Sequence, residues 1–173
     1  MKMDMKNRLK TRYKFSDYIY WTLFAAIPFI TAFIAILKSS LIWAMVYILV
    51  FLAQFLIVEY RFFCSHCPHY CQDGYTTKCL FIWGVPKYFK ARQFPLKILD
   101  KFMICLGFLI IILFPIYWLF TKPLLLVIYL LSWTVFGSTL KRYECNQCIY
   151  FHCPLNSVPK DLRDQFIKNQ CHK

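Results

Sequence analysis

Two short stretches of this 173-residue chain hold six of its nine cysteines. The first is RFFCSHCPHYC, residues 61–71, and the second is RYECNQCIYFHCP, residues 142–154. Both contain an Arg, an aromatic residue, a variable residue and then Cys-x-x-Cys. Two further cysteines follow the motifs, so that eight thiols are candidate cofactor ligands: Cys64, Cys67, Cys71, Cys79, Cys145, Cys148, Cys153 and Cys171.

Cys-x-x-Cys turns two sulfurs toward one ion, and four thiolates hold either a tetrahedral zinc or a four-iron cluster. Three close cysteines and a Cys-Pro pair in each stretch are features of cluster motifs, although the later spacings are wider here. Two separated cysteine pairs are typical of zinc ribbons, and Cys64 and Cys67 would form one such site with Cys145 and Cys148. We therefore predict an iron–sulfur protein for electron transfer, with a zinc-stabilised scaffold as the alternative.

A third hypothesis is a thiol redox or metal-handling protein that uses the same cysteines transiently, so the sequence leaves open whether the protein is an enzyme. Three histidines lie between the cysteines and are weaker candidate ligands: His66, His69 and His152. Cys105 lies inside an apolar run, where we expect it to pack as a small hydrophobic side chain.

Four apolar runs separate the cysteine-rich and basic stretches, and they contain no Asp, Glu, Lys, Arg or His: Tyr18–Leu37, Leu41–Val58, Phe102–Phe120 and Leu124–Leu140. Each has about the ~20 residues that cross a ~30 Å hydrocarbon core as a helix. The fold class predicted is an all-α membrane protein with four transmembrane helices. The lack of ionisable side chains in the runs disfavours an ion pump, and the lack of histidines disfavours a haem-binding membrane cytochrome.

The two halves of the chain resemble each other beyond their cysteines. Lys14-x-x-Asp17 precedes the first run and Lys97-x-x-Asp100 precedes the third, 83 residues later. We predict two helical hairpins that are parallel repeats, each followed by a cytoplasmic Cys-rich motif. The segments would be a basic tail, a hairpin, a Cys-rich interfacial loop, a second hairpin and a Cys-rich tail: 1–17, 18–58, 59–101, 102–140 and 141–173.

The basic residues are distributed unevenly over a chain with net charge +13. Nineteen of the 21 Lys and Arg residues lie in the tails and the central loop, and two lie in the short turns within the hairpins. This bias predicts a cell inner membrane protein, or its equivalent, with both termini and the Cys motifs in the cytoplasm. Thiols stay reduced there, which disfavours structural disulfides. The alternation with apolar runs indicates a membrane protein and no nucleic-acid partner.

Residues 80–101 mix aromatic and basic side chains, a composition typical of segments that lie in the membrane interface. We expect this segment to contact anionic headgroups of the lipid bilayer. A quinone or a redox partner protein is a further expected partner if the thiols hold a cluster.

The charge bias makes a direct prediction about topology. A reporter fused after Lys173 should be active in the cytoplasm, and one inserted between Ser39 and Ser40 should report the opposite side. Reporter activity in intact cells measures this. The reverse pattern would place the thiols in an oxidising compartment and favour disulfides.

Overall fold

The computed structural model describes residues 9–72, 74–92 and 96–171. It is mainly helical, as predicted, and it also contains a small β-hairpin. The elements in chain order are α1 (Phe15–Leu37), α2 (Leu41–Ala53), β1 (Thr76–Lys78), β2 (Trp83–Pro86), α3 (Ile98–Leu113), α4 (Ile116–Leu119), α5 (Pro123–Leu140) and α6 (Lys160–Cys171).

Four helical stretches are long and apolar enough to cross a membrane, which confirms the predicted spans: Phe15–Leu37, Leu41–His66, Ile98–Leu119 and Pro123–Cys145. The second and fourth stretches continue past the predicted ends at Val58 and Leu140. Each continues through a π-helical segment, Gln54–Glu59 after α2 and Lys141–Cys145 after α5. No Pro or Gly interrupts either continuation. The helices therefore lead directly into the cysteine motifs.

The helices α1 and α3 begin with the same local arrangement. The backbone N–H of Lys14 donates to Asp17 Oδ2 at 3.2 Å, and the N–H of Lys97 donates to Asp100 Oδ2 at 3.1 Å. A carboxylate in the first turn satisfies an otherwise free donor and interacts favourably with the helix dipole. The two Lys-x-x-Asp patterns noted in the sequence are thus helix N-terminal caps.

The helices pack as a bundle in which α1 lies along α5 and against α2, while α3 packs against the end of the second span. Alanines at the centre of the bundle allow close approach of α1 and α2. The buried residues of this cluster are Ala32, Ala35, Ile36, Ala44, Tyr47, Leu119 and Tyr129. Large apolar side chains point outward instead, for example Ile42, which is 74% exposed. Lipid would cover this outer surface.

Two polar contacts tie the bundle together at the end where the hairpins turn. The Tyr129 hydroxyl donates to the Ile112 carbonyl at 2.9 Å, beside the break that Pro115 makes between α3 and α4. The Lys122 ammonium donates to the Ala35 carbonyl at 2.8 Å and so satisfies a C-terminal carbonyl of α1. In a membrane such partners must come from the chain itself.

The hairpin β1–β2 was not predicted from the sequence, which indicated only an interfacial connector. The strands pair antiparallel, with Thr76 opposite Pro86, and Gly84 adopts a φ of +78° that suits glycine. The buried Tyr60 hydroxyl hydrogen-bonds Thr77 Oγ1 and donates to the Pro86 carbonyl at 2.9 Å. This contact attaches the hairpin to the end of the second span.

Gly107 on α3 provides a test of helix packing. A Cβ at this position would lie 2.0 Å from Gln54 Oε1, whose side chain is buried. We expect Gly107→Ala to lower the free energy of unfolding by about 1 kcal/mol, because Gln54 must move within a packed interface. The measurement is denaturant unfolding of the purified protein in detergent.

Gly137→Ala is the matched control, since a Cβ on this helical glycine meets no atom within 4 Å. It should leave stability unchanged or raise it by up to about 1 kcal/mol, because Ala loses less backbone entropy than Gly. Equal effects of the two substitutions would contradict the close contact between α3 and Gln54.

Candidate metal centre

The first cysteine motif begins while the chain is still helical. After the π-helical segment comes one helical turn, Tyr60–Phe62, and then a 3-10 turn, Cys64–His66. The Cys67 N–H donates to the Cys64 carbonyl at 2.9 Å, which closes this turn. Both thiols are buried, at 4% and 6% residue exposure. The helix end therefore fixes the Cys-x-x-Cys pair inside the protein.

Cys79 joins this pair from the tip of the β-hairpin. Its N–H donates to the Ile82 carbonyl at 3.0 Å, so the chain turns back immediately after the cysteine. Its thiol lies beside that of Cys67 and near the backbone N–H groups of Leu80, Phe81 and Ile82. The Cys67 contact and these donors lower the pKa of the Cys79 thiol, whereas the same contact and burial raise the pKa of Cys67. Cys79 is thus the more acidic member of the pair.

The three thiols line one small cavity of about 10 Å³, which is space for a single atom-sized occupant. Glu59 lines the same cavity from the last π-helical turn. It is 5% exposed, and its Oε2 has no hydrogen-bond partner among the residues described. The other lining residues are Phe63, Tyr70, Thr77 and Phe81. Three cysteines and one glutamate therefore line one space in an otherwise apolar setting.

Backbone N–H groups approach several sulfurs in a repeated manner. The N–H two residues later contacts the thiol of Cys67, Cys79, Cys148 and Cys153. For Cys148 the donor is Tyr150, with an N to Sγ distance of 3.4 Å. Hydrogen bonds to sulfur favour the thiolate over the thiol. Burial outweighs these contacts and raises the pKa of Cys148 and Cys153, and the Cys79 thiol together with burial raises the pKa of Cys67. The pKa of Cys79 is lowered instead, toward the thiolate form that binds metals.

The second motif lies beside the first and shares its surroundings. Cys148 and Cys153 pack against the buried cluster that contains Cys64 and Cys67, while Cys145 packs with Cys79 against a neighbouring cluster. The pKa of Cys148 is raised to about 11, first by burial and then by nearby Cys153 and Cys79, while the N–H of Tyr150 lowers it. The two motifs therefore meet, and Cys148 lies between the thiols of both.

A segment at the N-terminal end of the described chain covers this junction. The Lys10 N–H donates to the Gln147 carbonyl at 2.7 Å, and the Lys10 ammonium pairs with Glu144 at 2.8 Å. The Glu144 carboxylate also accepts the Trp21 indole N–H at 3.0 Å. Tyr13 hydrogen-bonds the Cys148 thiol, and its ring lies 4.8 Å from that of His69. Residues 9–13, which we call the N-terminal strap, shield the second motif from water.

The remaining predicted site residues occupy different places. His66 is buried with Nε2 3.8 Å from Asp100 Oδ2, and His152 is exposed. Burial lowers the pKa of His69 to about 4, so this ring is neutral near pH 7. Cys71 and Cys105 are exposed, Cys105 on the outer face of α3. The side chain of Cys171 lies outside the part of the structure that is described.

Across residues 9–72, 74–92 and 96–171, no group of three or more His, Cys, Asp or Glu side chains is already arranged to hold a metal ion. The thiols of the cavity surround a common space without converging on one point. Side-chain rotation within the cavity would be needed to close a site around an ion.

Sequence reasoning did not identify Glu59, Glu144, Lys10 or Tyr13 as parts of the site. Glu59 carried one signal, since it is the first charged residue after an apolar run of 18 residues. No local sequence signal indicated the N-terminal strap, because Lys10 and Glu144 are separated by 134 positions.

Comparison with known proteins gave no match to a family model, to a curated protein or to a solved structure. The geometry and chemistry of the site therefore carry the functional argument alone.

The strap makes a prediction about thiol access. Glu144→Gln should raise the alkylation rate of Cys148 about tenfold or more, because it removes the ion pair that holds Lys10 in place. Peptide mapping by mass spectrometry after timed alkylation measures the rate for each cysteine.

Asp161→Asn is the control, since it removes a negative charge from an exposed position on α6. Unchanged alkylation in Glu144→Gln relative to this control would mean that the ion pair does not keep the strap closed.

Proposed function

We propose that this chain is an integral membrane protein that holds one thiolate-bound metal ion at its basic, cytoplasmic end. The ligands proposed are Cys64, Cys67, Cys79 and Glu59. The observation that carries the proposal is the atom-sized cavity lined by Cys64, Cys67, Cys79 and Glu59, together with the buried Glu59 Oε2, which has no partner among the residues described. A buried carboxyl group without a hydrogen-bond partner costs free energy, and an ion bound beside it would offset that cost.

Zinc is the ion that fits this ligand set best. It accepts four ligands from sulfur, nitrogen and oxygen, with bonds of ~2.3 Å to sulfur and ~2.0–2.2 Å to carboxylate oxygen. The cavity of about 10 Å³ has room for one ion, whereas a four-iron cluster needs space for eight atoms and four thiolates. These considerations favour the zinc-stabilised scaffold over the electron-transfer protein with an iron–sulfur cluster.

The surroundings of these thiols favour a zinc site over a thiol redox enzyme. Reactive cysteines lie in partly exposed positions where a substrate can reach the thiolate. Cys64 and Cys67 are almost fully buried, and Cys79 lies within the same packed region. An enclosed thiolate with backbone N–H donors is better suited to hold an ion than to attack a substrate.

The architecture proposed with this function is two parallel hairpin repeats with their Cys motifs on the cytoplasmic side. Three features support it. Both hairpins begin with a Lys-x-x-Asp cap, both second helices end in a π-helical segment, and both then reach Arg-aromatic-x-Cys-x-x-Cys. The excess of basic residues at this end supports the cytoplasmic assignment and would offset the negative charge of the thiolates.

The metal content of protein purified without oxygen tests the proposal. We expect one zinc per chain and no colour. Cys64→Ser, Cys67→Ser and Cys79→Ser should each lower the zinc content strongly, because a site with three remaining ligands binds more weakly. Glu59→Gln should lower it as well. Elemental analysis by mass spectrometry after dialysis against a chelator measures these losses.

Cys71→Ser and Cys105→Ser are the controls, since both thiols are exposed. Cys71 belongs to the same loop, so it separates the proposed ligand set from a general requirement for cysteines. Full retention of zinc in Cys79→Ser with loss in Cys145→Ser and Cys148→Ser would contradict the ligand set and favour the joint site of both Cys-x-x-Cys pairs. Brown protein with bound iron would contradict zinc and favour electron transfer.

A further inference from the structure

A second cavity, of about 390 Å³, lies on the other side of the 3-10 turn that carries Cys64. Its lining side chains are basic, aromatic or hydroxyl-bearing: Arg61, Ser65, Tyr88, Phe89, Lys90 and Arg92. The Tyr88 hydroxyl donates to the Leu56 carbonyl near the end of the second span. This contact places the cavity where a lipid headgroup would lie if the second span crosses the membrane.

Three basic residues line this cavity, and none of them forms an ion pair with another residue that the structure describes. The ion pairs found among the described residues involve Lys10 and His66, and none includes Arg61, Lys90 or Arg92. Cations held this close together repel one another, and an anion bound between them would relieve that repulsion.

The chain holds the two arginines in fixed relative positions through Ser65. The buried Ser65 hydroxyl donates to the Arg61 carbonyl at 2.5 Å, and the Arg92 N–H donates to the Ser65 carbonyl at 2.7 Å. The Arg61 guanidinium lies 5.4 Å from the centre of the Phe89 ring. The Phe89 carbonyl accepts the Tyr70 hydroxyl at 2.6 Å, which fixes the ring-bearing segment in turn. These contacts fix the backbones of Arg61 and Arg92 at the pocket and place the Arg61 guanidinium against its Phe89 wall.

We propose that this pocket binds a phosphate-bearing anion through Arg61, Lys90 and Arg92. Guanidinium groups match the geometry of phosphate oxygens and bind them in pairs, and a lysine adds a point charge. The volume lies within the usual range of small-ligand pockets. The phosphate comes either from an anionic lipid headgroup or from a soluble phosphate compound. This inference does not depend on the metal centre.

The full-length protein in detergent micelles provides the test. Native mass spectrometry should detect bound phosphatidylglycerol and much less phosphatidylcholine. Arg61→Gln with Arg92→Gln should weaken phosphatidylglycerol binding about 30-fold, since each basic residue near an anionic headgroup is worth ~1 kcal/mol. Lys90→Gln should weaken it about fivefold, and because Lys90 is exposed this substitution leaves the packing intact.

Arg163→Gln is the matched control for Arg61→Gln. Arg163 also lies over a phenylalanine ring, with its guanidinium 5.9 Å from the centre of Phe151, but it belongs to α6 and does not line the pocket. It should leave lipid binding unchanged.

A parallel titration with inorganic phosphate identifies the source of the anion. Loss of phosphatidylglycerol binding in the pocket variants, with no competition by inorganic phosphate, supports a lipid. Competition by inorganic phosphate that is lost in the same variants supports a soluble phosphate compound. The proposal is overturned if Arg61→Gln with Arg92→Gln, and also Lys90→Gln, bind phosphatidylglycerol and inorganic phosphate as the unmodified protein and the Arg163→Gln control do.

Discussion

Charged and thiol side chains are buried where two helices leave the apolar part of the bundle, and there each of them needs a partner from within the chain. Among the described residues, two of the three buried carboxyl groups have such partners. Glu144 binds Lys10 and Trp21, and Asp100 caps α3 and lies near His66. Glu59 differs, because its Oε2 has no partner among the described residues and shares a cavity with three thiols. The proposed metal centre would supply the partner that this carboxyl oxygen lacks.

One 3-10 turn connects this centre to the rest of the basic end. Its successive residues face different surroundings: Cys64 the small thiol-lined cavity, Ser65 the larger basic pocket, and His66 the carboxylate of Asp100. An ion bound to Cys64 would rigidify the turn, and an anion bound beside Ser65 would hold the same turn at the membrane surface. The two proposed ligands thus act on one short element at the exit of the second span.

The spans were predictable because their signal is local: charge-free runs of helical length. The Lys-x-x-Asp patterns were visible in the sequence as part of a repeat, and the structure shows that each Asp caps a helix. The site was only partly predictable, because its assembly depends on long-range contacts. Cys64 and Cys67 were identified by their spacing, but Cys79 joins them only through a hairpin whose strands have three and four residues, too few to show an alternating pattern. The sequence indicated only that Glu59 lies at the edge of an apolar run. Its burial was not predicted, because it depends on a helix that continues through Gln54–Glu59 into the first cysteine motif. The N-terminal strap is held by the ion pair between Lys10 and Glu144, and no local sequence pattern predicts this pairing.

The central claim is that three thiolates from Cys64, Cys67 and Cys79 and one oxygen from Glu59 hold a single zinc ion. X-ray absorption spectroscopy at the zinc edge of the purified protein tests this most directly, because it reports the type and distance of the ligand atoms. The account predicts three sulfurs at ~2.3 Å and one oxygen at ~2.0–2.2 Å, with the oxygen contribution altered in Glu59→Gln. Four sulfurs and no oxygen, or protein without stoichiometric zinc, would contradict it.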